Sequence, residues 1–380
     1  MSSNRAGVYQ LQPTGYRAFM PAPLPPDPPV GINDEMQALL SQADLALGRL
    51  DGSIQTLPDH NLFVFMYVRK EAVLSSQIEG TQSSLNDLLE AEAKLFNASR
   101  PADVKEVINY VNAMNYGLAR LKELPVSIRL IREIHEKLLA GVRGQRHRPG
   151  EIRTSQNWIG PAGCTLKQAT YIPPPPNGIM QALGDLELFI HARSPIPALI
   201  KTGLIHSQFE SIHPFLDGNG RVGRLLITFL LCEKEILQSP VLYISWYFKK
   251  HRESYYQLLQ DVRDNGAWEE WLKFYLTGIS EVATEATETA RGIVALREKH
   301  RRLITNNFGR VAGNGLTVLE HLFTTPIITV NDVVGLLGGS YTTANNLVYK
   351  FIENSLLVEA TGNSRNRRFR YSEYIDLFSS

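Results

Sequence analysis

The chain has 380 residues, with 39 Lys and Arg against 38 Asp and Glu. Its formal charge of +1 excludes nucleic-acid binding through bulk charge and confines any basic site to a local patch. At 43% hydrophobic and 20% charged residues the composition is core-forming and not that of a disordered chain, and the length suits about two or three domains. The longest apolar run, Leu225 to Cys232, is far too short to span a bilayer, and the N-terminus lacks a charged-then-apolar leader. A cytoplasmic location with no membrane partner is expected. Two cysteines, Cys164 and Cys232, exclude a disulfide framework or an all-cysteine metal site. The sequon Asn97-Ala98-Ser99 is then expected to be unused.

Residues 1–33 hold seven of the 21 prolines, concentrated between Pro21 and Pro29, which disfavours helix and predicts an extended arm. Tyr9, Leu11, Tyr16, Phe19 and Met20 give that arm something to bury against the body. From 34 to 300 the signal is helical, which predicts a mainly α body: an N-terminal helical region over 34–100 and a core over 101–300. Helices are expected around Leu39 to Leu47, Phe63 to Leu74, Val104 to Val111, then over 126–140, 177–192, 196–211, 220–235 and 251–264. A long helix carrying Trp268, Trp271, Leu272, Tyr275 and Ile279 follows. Residues 141–176 interrupt the pattern with five glycines and six prolines. Short β-favouring pieces at Trp158-Ile159 and Thr170-Tyr171-Ile172 predict a hairpin-like excursion there. After residue 301 three short helices and a strand pair, Leu356–Ala360 and Arg367–Tyr371 around Gly362-Asn363, predict a winged helix-turn-helix domain over 301–380.

The chemistry is concentrated in His213-Pro-Phe-Leu-Asp217-Gly218-Asn219-Gly220-Arg221-Val222-Gly223-Arg224. A base, an acid, a glycine-rich turn and two arginines fall within one turn and the start of the next helix. Gly218 and Gly220 permit positive φ and close approach, and the free N–H groups and dipole of a helix N-terminus favour an anion. Arg221 and Arg224, three apart, add guanidinium forks suited to a polyphosphate. Asp217 is suited to magnesium that such a ligand brings, and His213 remains as proton acceptor. Gly218-x-Gly220-x-x-Gly223 also matches the dinucleotide-binding fingerprint, but that fingerprint needs a preceding strand, whereas Ile196 to Ile205 have helical spacing. No G-x-x-x-x-G-K-S/T run occurs.

These twelve residues resemble the H-x-F-x-D/E-G-N-G-R-x-x-R signature of Fic-domain proteins, most of which are protein adenylyltransferases. The resemblance covers roughly 34–300 and implies a Fic-type helical bundle with a β-hairpin flap. It implies transfer of AMP from ATP to a Ser, Thr or Tyr hydroxyl of a target protein or of the chain itself, with release of pyrophosphate. His213 would be the base, Asp217 would hold Mg2+, and Gly218, Asn219 and Gly220 would form an anion nest. Arg221 and Arg224, with Val222 and Gly223 between them, would grip the outer phosphates. Tyr255 of the Tyr255-Tyr256 pair corresponds to an adenine contact. Ala169, Thr170 and Tyr171 correspond to the tip of the flap, which aligns a target by strand pairing.

A second segment, Ser75-Ser76-Gln77-Ile78-Glu79-Gly80, ends an apolar helix with a carboxylate that the helix dipole disfavours. A cationic partner removes that conflict. The segment resembles the family's inhibitory pattern S/T-x-x-x-E-G/N, which implies that Ser75, Glu79 and Gly80 form a brake in which Glu79 pairs with Arg224. The same carboxylate can orient water for removing AMP. The alternative function is a DNA-binding regulator with a nucleotide-sensing Fic body, resting on Arg365, Arg367, Arg368 and Arg370 in the C-terminal hairpin. Transfer of phosphocholine or of another nucleotide, and a homodimer, stay open.

Overall fold

A computed structural model of the chain describes residues 4–55, 61–94, 101, 103–142, 147–161, 163–361 and 367–378. The sequon, the Gly362-Asn363 turn and Arg365 lie outside the described residues. The N-terminal arm opens with an antiparallel hairpin, β1 (Gly7–Leu11) and β2 (Arg17–Pro21), in register from Gly7 opposite Pro21 to Leu11 opposite Arg17. Its strands lie upstream of the proline run, where backbone donors are still available to pair. Phe19 is buried, packing between Tyr9 and Tyr171 at ring separations of 5.1 and 6.1 Å.

Fourteen helices of the described residues carry the rest, with a fifteenth short one at the end. They begin with α1 (Asp34–Gln55), α2 (Asn61–Ile78), α3 (Leu85–Glu92), α4 (Val104–Arg120) and α5 (Ile128–Leu138). After the excursion come α6 (Pro176–His191), α7 (Ala198–Ile212) and α8 (Asn219–Glu233). Then follow α9 (Ser245–Lys250), α10 (Arg252–Asn265) and the 40-residue α11 (Trp268–Asn307). Periodicity predicts most of these to within a few residues. It does not predict α3 and α9, which are too short to show a periodic face. The Ser84 and Asp87 capping box at the start of α3 is the local signal that marks it.

The stripe Trp268, Trp271, Leu272, Tyr275, Leu276, Ile279 and Val282 of α11 is buried, and Met36, Ala43, Leu47, Leu50 and Ile54 of α1 are buried as well. The two helices run against one another, each closing the other's apolar face. In contrast, α7 is buried from Thr202 through Ile212 and α8 from Arg221 through Leu231, so these two form the centre of the molecule. Their buried positions include His206, Glu210, Asn219, Arg221 and Arg224. Such groups are costly in a core unless each finds a partner, so their concentration marks the region where the fold serves chemistry.

The hairpin-like excursion expected over 141–176 pairs its two β-favouring pieces as anticipated, though only briefly. Among the described residues it reduces to one antiparallel bridge, Ile159 opposite Tyr171, with a 3-10 turn at Leu166–Gln168 between. Its prolines remove ladder donors and its glycines weaken strand pairing, leaving irregular backbone to be held by side chains. Beyond α11 the order is α12 (Ala312–Leu322), β3 (Ile327–Thr329), α13 (Val330–Leu337), α14 (Tyr341–Glu353), β4 (Val358–Glu359), β5 (Arg368–Arg370) and α15 (Ser372–Asp376). β5 lies between β3 and β4, antiparallel to both. The strand β3, three residues after Pro326, is too short to read from alternation. No helix among the described residues is long and apolar enough to cross a membrane.

Trp271 joins the centre to the outer helix: it is fully buried and its indole N–H donates to the Gly203 carbonyl at 2.9 Å. Trp271→Ala should lower unfolding free energy by about 3–5 kcal/mol, read as a shift in urea midpoint. A loss below about 1 kcal/mol would mean that the centre repacks without it.

Candidate active site

The loop between α7 and α8 is built by side chains that bind backbone. α7 ends at His213, whose φ of 50° is left-handed and whose N–H reaches the Phe209 carbonyl at 3.0 Å. α8 starts after Gly218, at φ +78°, where a side chain would be strained. Asn219 closes the loop: its Oδ1 accepts from the Phe215 N–H and its Nδ2 donates to the Phe215 carbonyl, both at 2.8 Å. Beneath, the His135 ring stacks on Phe215 at 3.7 Å and 6°. His135 Nδ1 accepts from the Gly150 N–H at 2.8 Å. The proton therefore sits on Nε2, which donates to the Asp217 carbonyl at 3.0 Å.

The excursion is clamped onto this loop by Arg153, which is buried. Its Nε donates to the His213 carbonyl at 2.9 Å, its Nη2 to the Pro174 carbonyl at 2.6 Å, and its backbone N–H to the Pro214 carbonyl at 3.0 Å. Asn157 Nδ2 adds a bond to the Phe215 carbonyl at 2.8 Å. Neither residue has a sequence signal, because each acts on backbone about 60 residues away.

His213 is half-buried, and its Nδ1 is buried without a hydrogen bond of ordinary geometry. Burial, then the Arg153 and Arg263 guanidinium charges, hold its pKa down at about 3, so the ring is neutral and able to accept a proton at physiological pH. Asp217 Oδ1 accepts from the Gly218 N–H at 2.7 Å and lies 3.5 Å from Arg221 Nη2. No group of three or more His, Cys, Asp or Glu among the described residues is placed to hold a metal by itself.

The two arginines diverge, which corrects the expectation that both face one ligand. Arg221 turns inward to Glu106 at 3.1 Å, a pairing across 115 residues that no local pattern announces. Arg224, 1% exposed in its side chain, reaches Ser75: Nε donates to Oγ at 2.8 Å and Nη2 to the carbonyl at 3.0 Å. Nη2 also donates to Glu79 Oε1 at 2.6 Å. Burial is the largest single influence and lowers the guanidinium pKa, but the Glu79 carboxylate together with Tyr255, Tyr256 and Glu210 outweighs it and holds the pKa above the ordinary value.

The Glu79 carboxylate rests on the first turn of α8: a Cβ on Gly220 would lie 2.3 Å from Oε1. No side chain caps that turn, so the carboxylate stands where the helix N-terminus favours an anion. Gly80, exposed at φ +96°, follows it and turns the chain away. A Cβ on Gly223 would meet Glu210 Oε1 at 2.3 Å. Burial, against the charge of Arg224, raises the Glu210 pKa to about 7. Val222 is a core residue, 1% exposed, and its N–H closes on the Gly218 carbonyl at 3.0 Å.

Three further expectations are corrected. Tyr255 is fully buried, stacked on Phe248 at 4.5 Å, with its O–H donated to His206 Nε2 at 2.9 Å. His206 Nδ1 must then carry the proton that binds the Gly223 carbonyl at 3.0 Å, so Tyr255 supports α8 from within and presents no face to a base. Its neighbour Tyr256 is 41% exposed. Tyr171 is no loop tip: it is buried, donates to the Ser211 carbonyl and lies 3.9 Å beneath Arg263, leaving half-buried Ala169 and exposed Thr170 beside it. Three of the C-terminal arginines, all but Arg365, which lies outside the described residues, are engaged within the chain. Arg367 binds Tyr349 Oη and Asn345 Oδ1, Arg368 the Ala93 and Lys94 carbonyls, and Arg370 Asp376.

The buried ionisable groups set a pH dependence of stability. His206 and His135, fully buried, are held near 3 and 4 by desolvation, below the unfolded 6.5. Their contribution is complete above pH 6.5 and is lost as pH falls toward those values. Burial raises Glu71 and Glu210 to about 7 from an unfolded 4.5, so they work oppositely, gaining stability as pH falls from 7 to 4.5. His213, likewise held near 3, makes three histidines against two carboxylates, so stability, read as the urea midpoint, should fall gently, by about 1.4 kcal/mol per pH unit, between pH 6.5 and 5. Below 4.5 the carboxylates are protonated in both states and His135 saturates near 4, while His206 and His213 should each cost about 1.4 kcal/mol per pH unit. A midpoint already falling steeply at pH 6 would contradict this assignment.

Residues 37–119 match the model described as Fic/DOC family N-terminal, and residues 125–231 the one described as Fic/DOC family. The chain is similar to the probable protein adenylyltransferase of Aquifex aeolicus, 29% identical over 208 residues that cover 53% of this chain and 57% of that protein. It is 26% identical over 213 residues to the protein adenylyltransferase Fic of Drosophila grimshawi, covering 51% of this chain and 41% of that one. It thus spans about half the length of these curated relatives. Its fold is similar to that of a Fic family protein from Desulfovibrio desulfuricans, with TM-score 0.58 at 19% identity over 90% of this chain and 97% of the other. A Fic domain containing signaling protein from Bacteroides thetaiotaomicron gives TM-score 0.52 at 18% identity over 68% and 97%. With residues 37–119 and 125–231 matched, and the loop between α7 and α8 lying inside the second match, the chain belongs to the Fic/DOC family.

Proposed function

We propose that the protein transfers AMP from ATP to a Ser, Thr or Tyr hydroxyl of a target protein or of itself. The observation that carries this reading is a neutral His213 held beside an uncapped helix N-terminus that already contains a carboxylate and a buried arginine. In the transfer, His213 accepts the hydroxyl proton while the oxygen attacks the α-phosphorus; the bond to the bridging oxygen breaks and pyrophosphate leaves. The first-turn N–H groups of α8 stabilise charge on the phosphate oxygens, since they are oriented before the reaction begins. Asp217 fits magnesium as one carboxylate ligand, the remainder coming from phosphates and water, and the ion would offset phosphate charge when bound. Tyr256, not Tyr255, is the residue of the pair available to a base.

The autoinhibited reading rests on Glu79, which takes both the Arg224 guanidinium and the space over Gly220. A phosphate must displace it to use either. A tenfold restraint requires only about 1.4 kcal/mol of differential stability, and the same carboxylate is suited to orient water for AMP removal. The arrangement of residues 312–376 supports a winged helix-turn-helix reading of the C-terminal part. The engagement of Arg367, Arg368 and Arg370 on carbonyls and side chains within the chain favours the enzyme over the DNA-binding regulator.

With labelled ATP and magnesium, His213→Ala should abolish transfer while leaving ATP affinity within about threefold. Labelling equal to wild type would overturn the assignment of the base. Glu79→Gly should raise transfer tenfold or more, and Glu79→Gly with Arg224→Ala should not, because the released arginine is then missing as a phosphate ligand. That non-additivity reports one shared interaction; equal rates for wild type and Glu79→Gly would reduce Glu79 to a surface carboxylate.

A further inference from the structure

The last turns of α2 have two working faces. Ser75 and Glu79, four apart, hold Arg224. Gln77 lies about 200° around the helix from Ser75, in the wall of a cleft of about 480 Å3 between α2, α3 and α9. Lys70, Trp246, Lys249, Lys250 and Phe378 share that wall with it, and among the described residues no carboxylate lines the cleft. Lys70 and Lys250 are answered from α11 by Glu285 at 3.1 Å and Glu281 at 3.6 Å. Lys249 is different: it is exposed, and its Nζ donates to the neutral amide oxygen of Gln77 at 2.7 Å. The other end of that amide donates to the Ser83 carbonyl at 2.9 Å. The Gln77 side chain therefore brackets the Glu79-Gly80 turn, fastened by Lys249 on one side and Ser83 on the other.

A cleft of this size suits one small organic molecule. Its chemistry combines an ammonium with no carboxylate partner among the described residues and the half-buried indole of Trp246, over which Lys250 Nζ lies at 4.6 Å, on a floor closed by buried Phe378. We propose that it is an effector site for a small organic anion with a planar ring, and that occupancy loosens the inhibitory turn. An anionic head competes with the Gln77 amide for Lys249, since a bond between two charged partners is stronger than one to a neutral carbonyl. The ring packs on the indole. Loss of the Lys249 tether frees one end of the bracket around Glu79; that this bears on ATP use rests on the AMP-transfer reading, whereas binding and loosening do not.

The test uses the full chain without ATP and, as probe, anilinonaphthalene sulfonate, a planar ring system with an anionic head. Fluorescence titration should show one site per chain with a dissociation constant below about 100 μM. Trp246→Leu and Lys249→Gln should each weaken it at least tenfold, and Lys249→Arg should keep it within about threefold. At saturation, amide hydrogen exchange over residues 77–81 should become faster. Absence of saturable binding, affinity unchanged in both weakening variants, or exchange unchanged or slowed would overturn the proposal. Because no step needs nucleotide, a failure here is distinct from a failure of AMP transfer.

Discussion

Arg224 is a permanently charged group in a helix buried on all sides, and the surrounding structure answers to that fact. An unpaired guanidinium in such a place would cost several kcal/mol, so partners must be brought to it from elsewhere in the chain. They come from α2, about 150 residues earlier: the Ser75 hydroxyl and carbonyl and the Glu79 carboxylate. The need is for negative charge at one point, not for a particular residue. A phosphate carries the same sign of charge, so under the proposed function the Glu79 carboxylate and a nucleotide would draw on one space over Gly220.

The loop between α7 and α8 is held in a related way. Between His213 and Asn219 there is no sheet or helix to hold the backbone, yet its carbonyls are taken one after another. Arg153 binds His213, Asn157 and Asn219 bind Phe215, and His135 binds Asp217. These are side-chain donors to main-chain acceptors, the arrangement that stabilises irregular backbone without a ladder. The excursion over 147–176 uses the same device in reverse, since Arg153 reads its far end at Pro174. The N-terminal arm completes the layer: the Phe19 N–H bonds the Ile172 carbonyl at 2.8 Å, and Gln208 Nε2 bonds the Ala22 carbonyl at 2.7 Å. The arm and the excursion thus form one cover over α7.

Burial of polar groups along α7 has a second consequence. His206 passes a hydrogen bond from Tyr255 to the Gly223 carbonyl, and Glu210 lies against Gly223 itself. Two glycines of α8 therefore mark close approaches of carboxylates, Glu79 on the outer side and Glu210 on the inner. A helix with carboxylates set against Gly220 and Gly223 cannot also be packed by large side chains at those positions.

What the sequence determined by itself was local. The 3.6-residue spacing of apolar positions located the long helices, and Gly218 and Gly220 marked the turn whose backbone must approach an anion. The dipole conflict at Glu79 called for a cation, because each of these is a property of a few consecutive residues. Tertiary structure decided which way side chains face when a helix is buried on every side. Tyr255 and Tyr256 are adjacent and chemically identical, yet one is enclosed by Phe248 and His206 and the other is open. Arg221 and Arg224 share a turn of helix, yet α4 supplies Glu106 to one and α2 supplies Glu79 to the other. Arg153 and His135 carry no pattern at all, since their targets are backbone carbonyls and a ring brought near only by folding. Periodicity encodes which residues share a face, and only the packing of distant helices settles what that face meets.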